Sequence, residues 1–130
     1  MTKYVDGFVL VVPKKKLQAY KKMALGGKKM WKKYGALDYY ECVGDDLYPK
    51  SDMAGPPEMK VRRFPEMARA GPNDAVLFSF IVYKSRAHRD QVNKKVMKQM
   101  AKEMGKQKDV KMPFDMRKMA YGGFKVLVEG

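Results

Sequence analysis

The chain switches from a strand period to a helix period twice, and each switch takes only a few residues. Residues 75–83 (AVLFSFIVY) are β-branched or aromatic at nearly every position, the pattern of a strand buried on both faces. Ser85 then stands where its hydroxyl can accept an orphan backbone N–H of a first helical turn. Val92, Val96, Met100 and Met104 recur on one side of the helix that follows, with Lys94, Lys95, Lys98 and Lys102 opposite.

The same sequence of events occupies the N-terminal third. Residues 4–12 (YVDGFVLVV) predict a strand that Pro13 ends. Leu17, Tyr20, Ala24, Gly27, Trp31 and Tyr34 then repeat at helical spacing. Gly26-Gly27 weakens that helix by roughly 1 kcal/mol per glycine relative to alanine. Close approach of the helix backbone to a sheet is the expected reason.

Gly35 is the expected helix stop, and residues 36–43 (ALDYYECV) form a second strand in which Asp38 and Glu41 are expected on one face. Residues 47–74 hold Pro49, Pro56, Pro57, Pro65 and Pro72 and predict a long loop, with one or two helical turns over 64–70. After Gly105 a lysine-rich turn leads to a fourth strand over 118–128 (KMAYGGFKVLV). Gly122-Gly123 inside it signals a bulge or the close approach of another group.

The resulting order, βαββαβ, is that of a ferredoxin-like α+β domain spanning 1–130: a four-stranded antiparallel sheet with two helices on one face. The strands are apolar on both faces, yet two helices cover one. A second copy of the chain packed on the open sheet face, in a two-fold homodimer, is the expected cover.

Composition narrows the setting. The apolar runs are too short to cross a bilayer, so no membrane partner is expected, and the first residues lack a leader pattern. Cys42 is the single cysteine, which excludes an intrachain disulfide or a cysteine zinc site and suits a cytoplasmic location. The net charge is +14, from 28 Lys+Arg against 14 Asp+Glu. Lysine supplies most of it, whereas bidentate reading of bases and phosphates leans on arginine.

Four strings, YVDGFVLVVPKKKL, GALDYYECVGDD, FSFIVYKSRAHRDQVNKKVM and MPFDMRKMAYGGFKVLV, resemble the YbaA-like family of short bacterial proteins of unknown function. The resemblance covers nearly the whole chain and departs over residues 47–61, where this chain is expected to be longer. It implies the dimeric α/β-barrel fold. Wider relatives by fold include monooxygenases without metal or flavin, haem-degrading enzymes and lactone isomerases, an analogy of fold alone.

Candidate chemistry centres on the strand–helix joint and the second strand. Arg89 and Asn93 fall on the apolar side of their helix, and His88 lies at its edge. Arg89 is either an anion clamp near a helix N-terminus or the cation of a buried pair with Asp6, Glu41 or Asp38. His88, the only histidine, is a general base or haem ligand on one reading and a surface or capping residue on the commoner one. With Glu41 and Tyr83 these make the candidate ligand-binding set. Cys42 reads as a small buried hydrophobe, and the twelve methionines as core filler. No phosphate loop, zinc spacing or paired-carboxylate signature is present, so no metal, cofactor or catalytic residue is assigned.

The leading expectation is small-molecule binding, or an enzyme needing little or no cofactor, in a pocket between sheet and helices. The alternative is non-specific binding of RNA or another polyanion through Lys14, Lys15, Lys21, Lys22, Lys28, Lys29, Lys32 and Lys33 together with Lys94, Lys98 and Lys102. Against that alternative, lysine-rich faces are ordinary solvated helix surface.

Overall fold

The computed structural model describes residues 2–48, 61–105 and 112–130. The proline-rich part of the long loop (49–60) and the lysine-rich turn (106–111) lie outside the described residues. Strands β1 (Tyr4–Pro13), β2 (Asp38–Val43), β3 (Asp74–Tyr83) and β4 (Ala120–Lys125) form one sheet in the order β2-β3-β1-β4. Every neighbouring pair is antiparallel: Val12 faces Ala75, Phe8 faces Tyr121, and Glu41 faces Ser79. Helices α1 (Leu17–Lys33) and α3 (Arg86–Met104) lie on one face, and a short α2 (Phe64–Ala68) packs against β1 and β3. This is the expected ferredoxin-like α+β arrangement.

The core follows from the alternation of the strands. Leu10, Val12 and Leu77 pack with Tyr20 and Ala24 of α1. Tyr4, Ile81 and Tyr83 pack with Val92 and Val96 of α3. Met100 is only partly buried at the edge of that cluster, the side chain of Met104 lies outside the described set, and no described methionine is among the buried core, a correction to their reading as core filler. Cys42 is exposed rather than buried, because it stands on the edge strand β2 at an odd step from the inward-facing Glu41.

Local chemistry sets the element ends. Gly35, at φ +113°, closes α1: its N–H bonds the Lys32 carbonyl (3.2 Å) and the Ala36 N–H bonds the Trp31 carbonyl (3.0 Å). These are the two bonds of a Schellman motif, and they use up Ala36, so β2 starts at Asp38 rather than 36. Ser85 caps α3 as expected, its hydroxyl accepting the His88 N–H at 3.1 Å. Where residues 118–128 predict one long strand, Met116–Lys118 is a 3-10 turn capped by the Asp115 carboxylate, and β4 stops at Lys125. Lys125 pairs with Tyr4, the first residue of β1, and one further backbone bond, from the Val126 N–H to the Lys3 carbonyl (3.0 Å), ends the pairing.

The glycine expectations divide. A Cβ on Gly26 would meet nothing within 4 Å, whereas one on Gly27 would lie 3.0 Å from the Tyr39 hydroxyl. Gly27 therefore admits a side chain of β2, not the sheet backbone, and Gly26 serves no approach. In β4 the pairing runs without a bulge, and a Cβ on Gly123 would collide with the Tyr4 ring.

Candidate functional site

Two polar centres sit between the sheet and the helices. The first is built on Asp6, which β1 turns toward α3 and which is 1% exposed. Its Oδ1 accepts from Arg89 Nη1 at 2.7 Å and its Oδ2 from Asn93 Nδ2 at 3.3 Å. Arg89 also donates to Asp90 (2.7 Å) and to the Tyr121 hydroxyl (3.1 Å), and its guanidinium lies 4.9 Å from the Tyr4 ring centre. Burial alone would lower the Arg89 pKa; the bond to Asp90 and the Asp6 charge outweigh it and push the value up. Asn93 Oδ1 accepts from Trp31 Nε1 (3.0 Å) and from the Tyr83 hydroxyl (3.1 Å), so one amide ties α3 to α1 and to β3. Burial, then the Asp6 charge, raises the Tyr83 pKa and keeps its phenol protonated.

The second centre is Glu41. Its Oε1 accepts from the Tyr20 hydroxyl at 2.7 Å and from Ser79, and its Oε2 accepts from the Tyr39 hydroxyl at 2.7 Å. β2 places Tyr39 and Glu41 two residues apart and hence on one face, β3 brings Ser79 opposite, and α1 supplies Tyr20. Burial and the Glu41 bond raise the pKa of both tyrosines, so they remain donors to the carboxylate. Asp38, an odd step from Glu41, is exposed and points to the opposite face, a correction to the expectation that the two share one.

Glu41 lies at the floor of a cavity of about 660 Å³ roofed by α1 and α3. Trp31, Tyr39, Tyr20 and Phe114 supply aromatic wall, and Met23, Met30, Met100, Met112, Met116 and Met119 supply thioethers. A second cavity of about 410 Å³ on the other flank of α1 shares Tyr20, Ala24, Tyr39 and Glu41 with the first. The carboxylate is thus lined by open volume on both sides of the helix.

The five candidate residues consequently separate. Arg89, Asn93 and Tyr83 belong to the Asp6 network, and Glu41 belongs to the cavity. Trp31 touches both, since it lines the cavity and donates to Asn93. His88 stands apart. Its Nδ1 accepts the Lys84 N–H at 3.0 Å, its Nε2 would lie 3.3 Å from a Cβ on Gly35, and burial followed by the Lys84 and Lys95 charges lowers its pKa.

Tyr20, Tyr39, Ser79 and Trp31 were absent from the sequence-based set. The one local signal for them was Ser79, a polar residue inside an otherwise apolar strand.

The lysines of α1 and α3, with Lys14 and Lys15 before them, are all exposed. Lys14 and Lys32 donate to the backbone carbonyls of Pro72 and Leu37, and Lys33 lies over the Tyr34 ring. None of these lysines is in an ion pair among the described residues.

Fold and site together define a ferredoxin-like α+β protein with a helix-roofed cavity over a hydroxyl-held carboxylate. The chain belongs to the family described as Protein of unknown function (DUF1428), which matches residues 3–116. It is 39% identical over 128 residues to the uncharacterized protein YbaA of Escherichia coli (strain K12), covering 98% of both chains. The uncharacterized protein YbaA of Shigella flexneri matches at the same 39% over the same share of each chain. A dimeric ferredoxin-like protein from an uncultured marine organism shares the fold, with a TM-score of 0.54 at 13% identity over 100% of both chains. No helix of the described residues is long and apolar enough to cross a membrane.

Proposed function

We propose that the protein binds a small organic molecule in the cavity between α1, α3 and the sheet, with Glu41 as its polar anchor, and that it does so as a homodimer. The observation that carries this reading is a fixed carboxylate at the floor of a largely apolar cavity of about 660 Å³. Ligand sites of roughly 300–1,000 Å³ have this makeup, apolar walls with a few convergent polar groups. Three hydroxyls hold the carboxylate in place, which removes the reorganisation a free side chain would need. If the ligand carries an acidic proton, Glu41 is the group that takes it, and no cofactor is required for that step.

The homodimer is supported by the open sheet face, where Tyr40, Phe78 and Phe124 are 53%, 47% and 61% exposed. The marine ferredoxin-like protein is itself described as dimeric.

The test is a thermal-shift screen of a small-molecule library on the wild type and on Met100→Trp, whose indole fills the cavity. Hits that stabilise the wild type and not Met100→Trp support the reading. A library without cavity-dependent hits sinks it.

A second reading, polyanion binding, is favoured by the exposed lysines of α1 and α3, which lack carboxylate partners among the described ion pairs. Titrating a fluorescent single-stranded RNA at two salt concentrations separates the two. Affinity that falls steeply with salt and survives Met100→Trp supports the lysine surface.

A further inference from the structure

We infer that the molecule taken up by this cavity is an organic amine, bound as its ammonium on an apolar body. The inference rests on the cavity reading above and adds the chemical class of its ligand.

The charge of Glu41 is the starting point. Its three partners, Tyr20, Tyr39 and Ser79, are neutral donors, and no cation pairs with it among the described residues. A partly buried carboxylate held only by neutral hydroxyls is best met by an opposite charge out of water.

The acceptor count gives the geometry. Each carboxylate oxygen has two acceptor positions. Oε1 uses both, on Tyr20 and Ser79, while Oε2 uses one, on Tyr39. One position on Oε2 is left, the requirement of a single N⁺–H donor.

The walls fit the same group. Trp31 and Tyr39 stand with ring centres 6.2 Å apart and planes 38° apart, and Tyr20 meets Phe114 edge-on at 5.9 Å. Aromatic faces beside a carboxylate attract a cation through the ring quadrupole. Met23, Met30 and Met100 supply an adaptable apolar surface for an alkyl or aryl body.

The rim lysines do not reverse this. Lys29 and Lys33 line the mouth but are exposed, and the Lys33 ammonium lies 5.3 Å from the Tyr34 ring centre. Water and salt screen them. Lys21 and Lys28 at the second cavity are exposed likewise, so an anionic ligand would set its charge against Glu41 with only solvent-screened cations to receive it.

The experiment uses three probes of equal length, n-hexylammonium, 1-hexanol and hexanoate. Trp31 is the only tryptophan and lines the cavity, so its emission reports occupancy. Hexylammonium is expected to change that emission saturably and to bind about tenfold or more tighter than the other two, the scale of one charge-assisted hydrogen bond. Glu41→Gln is expected to remove that advantage.

Because an amide facing three hydroxyls can disturb folding, Met23→Lys is the second variant. Met23 is a 38% exposed wall residue, and a lysine there places a cation in the cavity. It should weaken hexylammonium and leave hexanol unchanged. Hexanol or hexanoate binding as well as hexylammonium, or hexylammonium unaffected by either variant, overturns the ammonium and leaves the cavity reading standing. If none of the three probes perturbs Trp31, both readings fall.

Discussion

Arg89 is the residue whose removal has the most predictable cost. Its side chain is 14% exposed and Asp6 opposite is 2% exposed, so the pair lies out of water. Arg89→Ala leaves the Asp6 carboxylate with Asn93 alone, and removing one partner of a buried pair costs about 3–5 kcal/mol. Urea denaturation checks this; a loss below about 1 kcal/mol would mean that solvent reaches Asp6 in the folded protein. His88 predicts a pH dependence. Burial and nearby lysines lower its folded pKa below the ordinary 6.5, so the unfolded chain takes up a proton first. The stabilisation is therefore complete above about 6.5 and is lost as pH falls toward the lower folded value. Urea midpoints measured from about pH 8 down to 5 should decline in the wild type and flatten in His88→Gln. Of these residues, the inward direction of Arg89 and Asn93 and the capping position of His88 were legible from helical spacing. The choice of Asp6 over Glu41 and Asp38 was not, because it depends on which strand lies under α3, a contact 83 residues away along the chain.

At the scale of elements, the paired glycines of α1 separate local propensity from tertiary fit. Both fall inside the helix at the same propensity cost, with Gly27 on the apolar stripe and Gly26 off it. A Cβ on Gly26 meets open space, so Gly26→Ala should stabilise the protein by about 0.5–1 kcal/mol through helix propensity. At Gly27 the same methyl would press on the Tyr39 hydroxyl and shift it off Glu41, so Gly27→Ala should gain nothing or lose stability. Thermal denaturation of the two single variants decides; equal gains would mean that Tyr39 is free to move away at no cost. The order of strands and helices was legible because both βα joints announce themselves, by Pro13 and by Ser85. The ends of β2 and β4 were not, because residue type did not decide them. Ala36 is consumed by the Schellman bond to Trp31, and β4 ends where β1 begins.

For the whole molecule, the open sheet face poses the remaining question. Val11 and Val76, paired in register and pointing away from α1 and α3, are 2% and 5% exposed, and α2 packs on the same two strands. Away from α2 the face stays open. Tyr40 stacks on Phe80 at 5.1 Å and Phe78 lies tilted by 50° against Phe80 at 5.8 Å, which leaves an aromatic patch spanning β2 and β3. Phe124 covers Gly7 and Gly122 on the β1–β4 side. A patch of this kind, rimmed by polar residues, is unfavourable in water and is self-complementary across a two-fold axis. In the proposed dimer Phe78 stands in the buried middle of each subunit's contribution. Phe78→Lys puts two like charges against each other there, while a monomer would tolerate it, since Phe78 is already 47% exposed. Sedimentation equilibrium should therefore show a wild-type dimer and a Phe78→Lys monomer. The wild-type thermal midpoint should rise with protein concentration and that of the variant should not. A wild type that sediments as a monomer across the concentration range would leave the aromatic face without a second copy, and the homodimer would be withdrawn. The cavity would be unaffected by that outcome, since its lining lies between the sheet and the helices of a single chain.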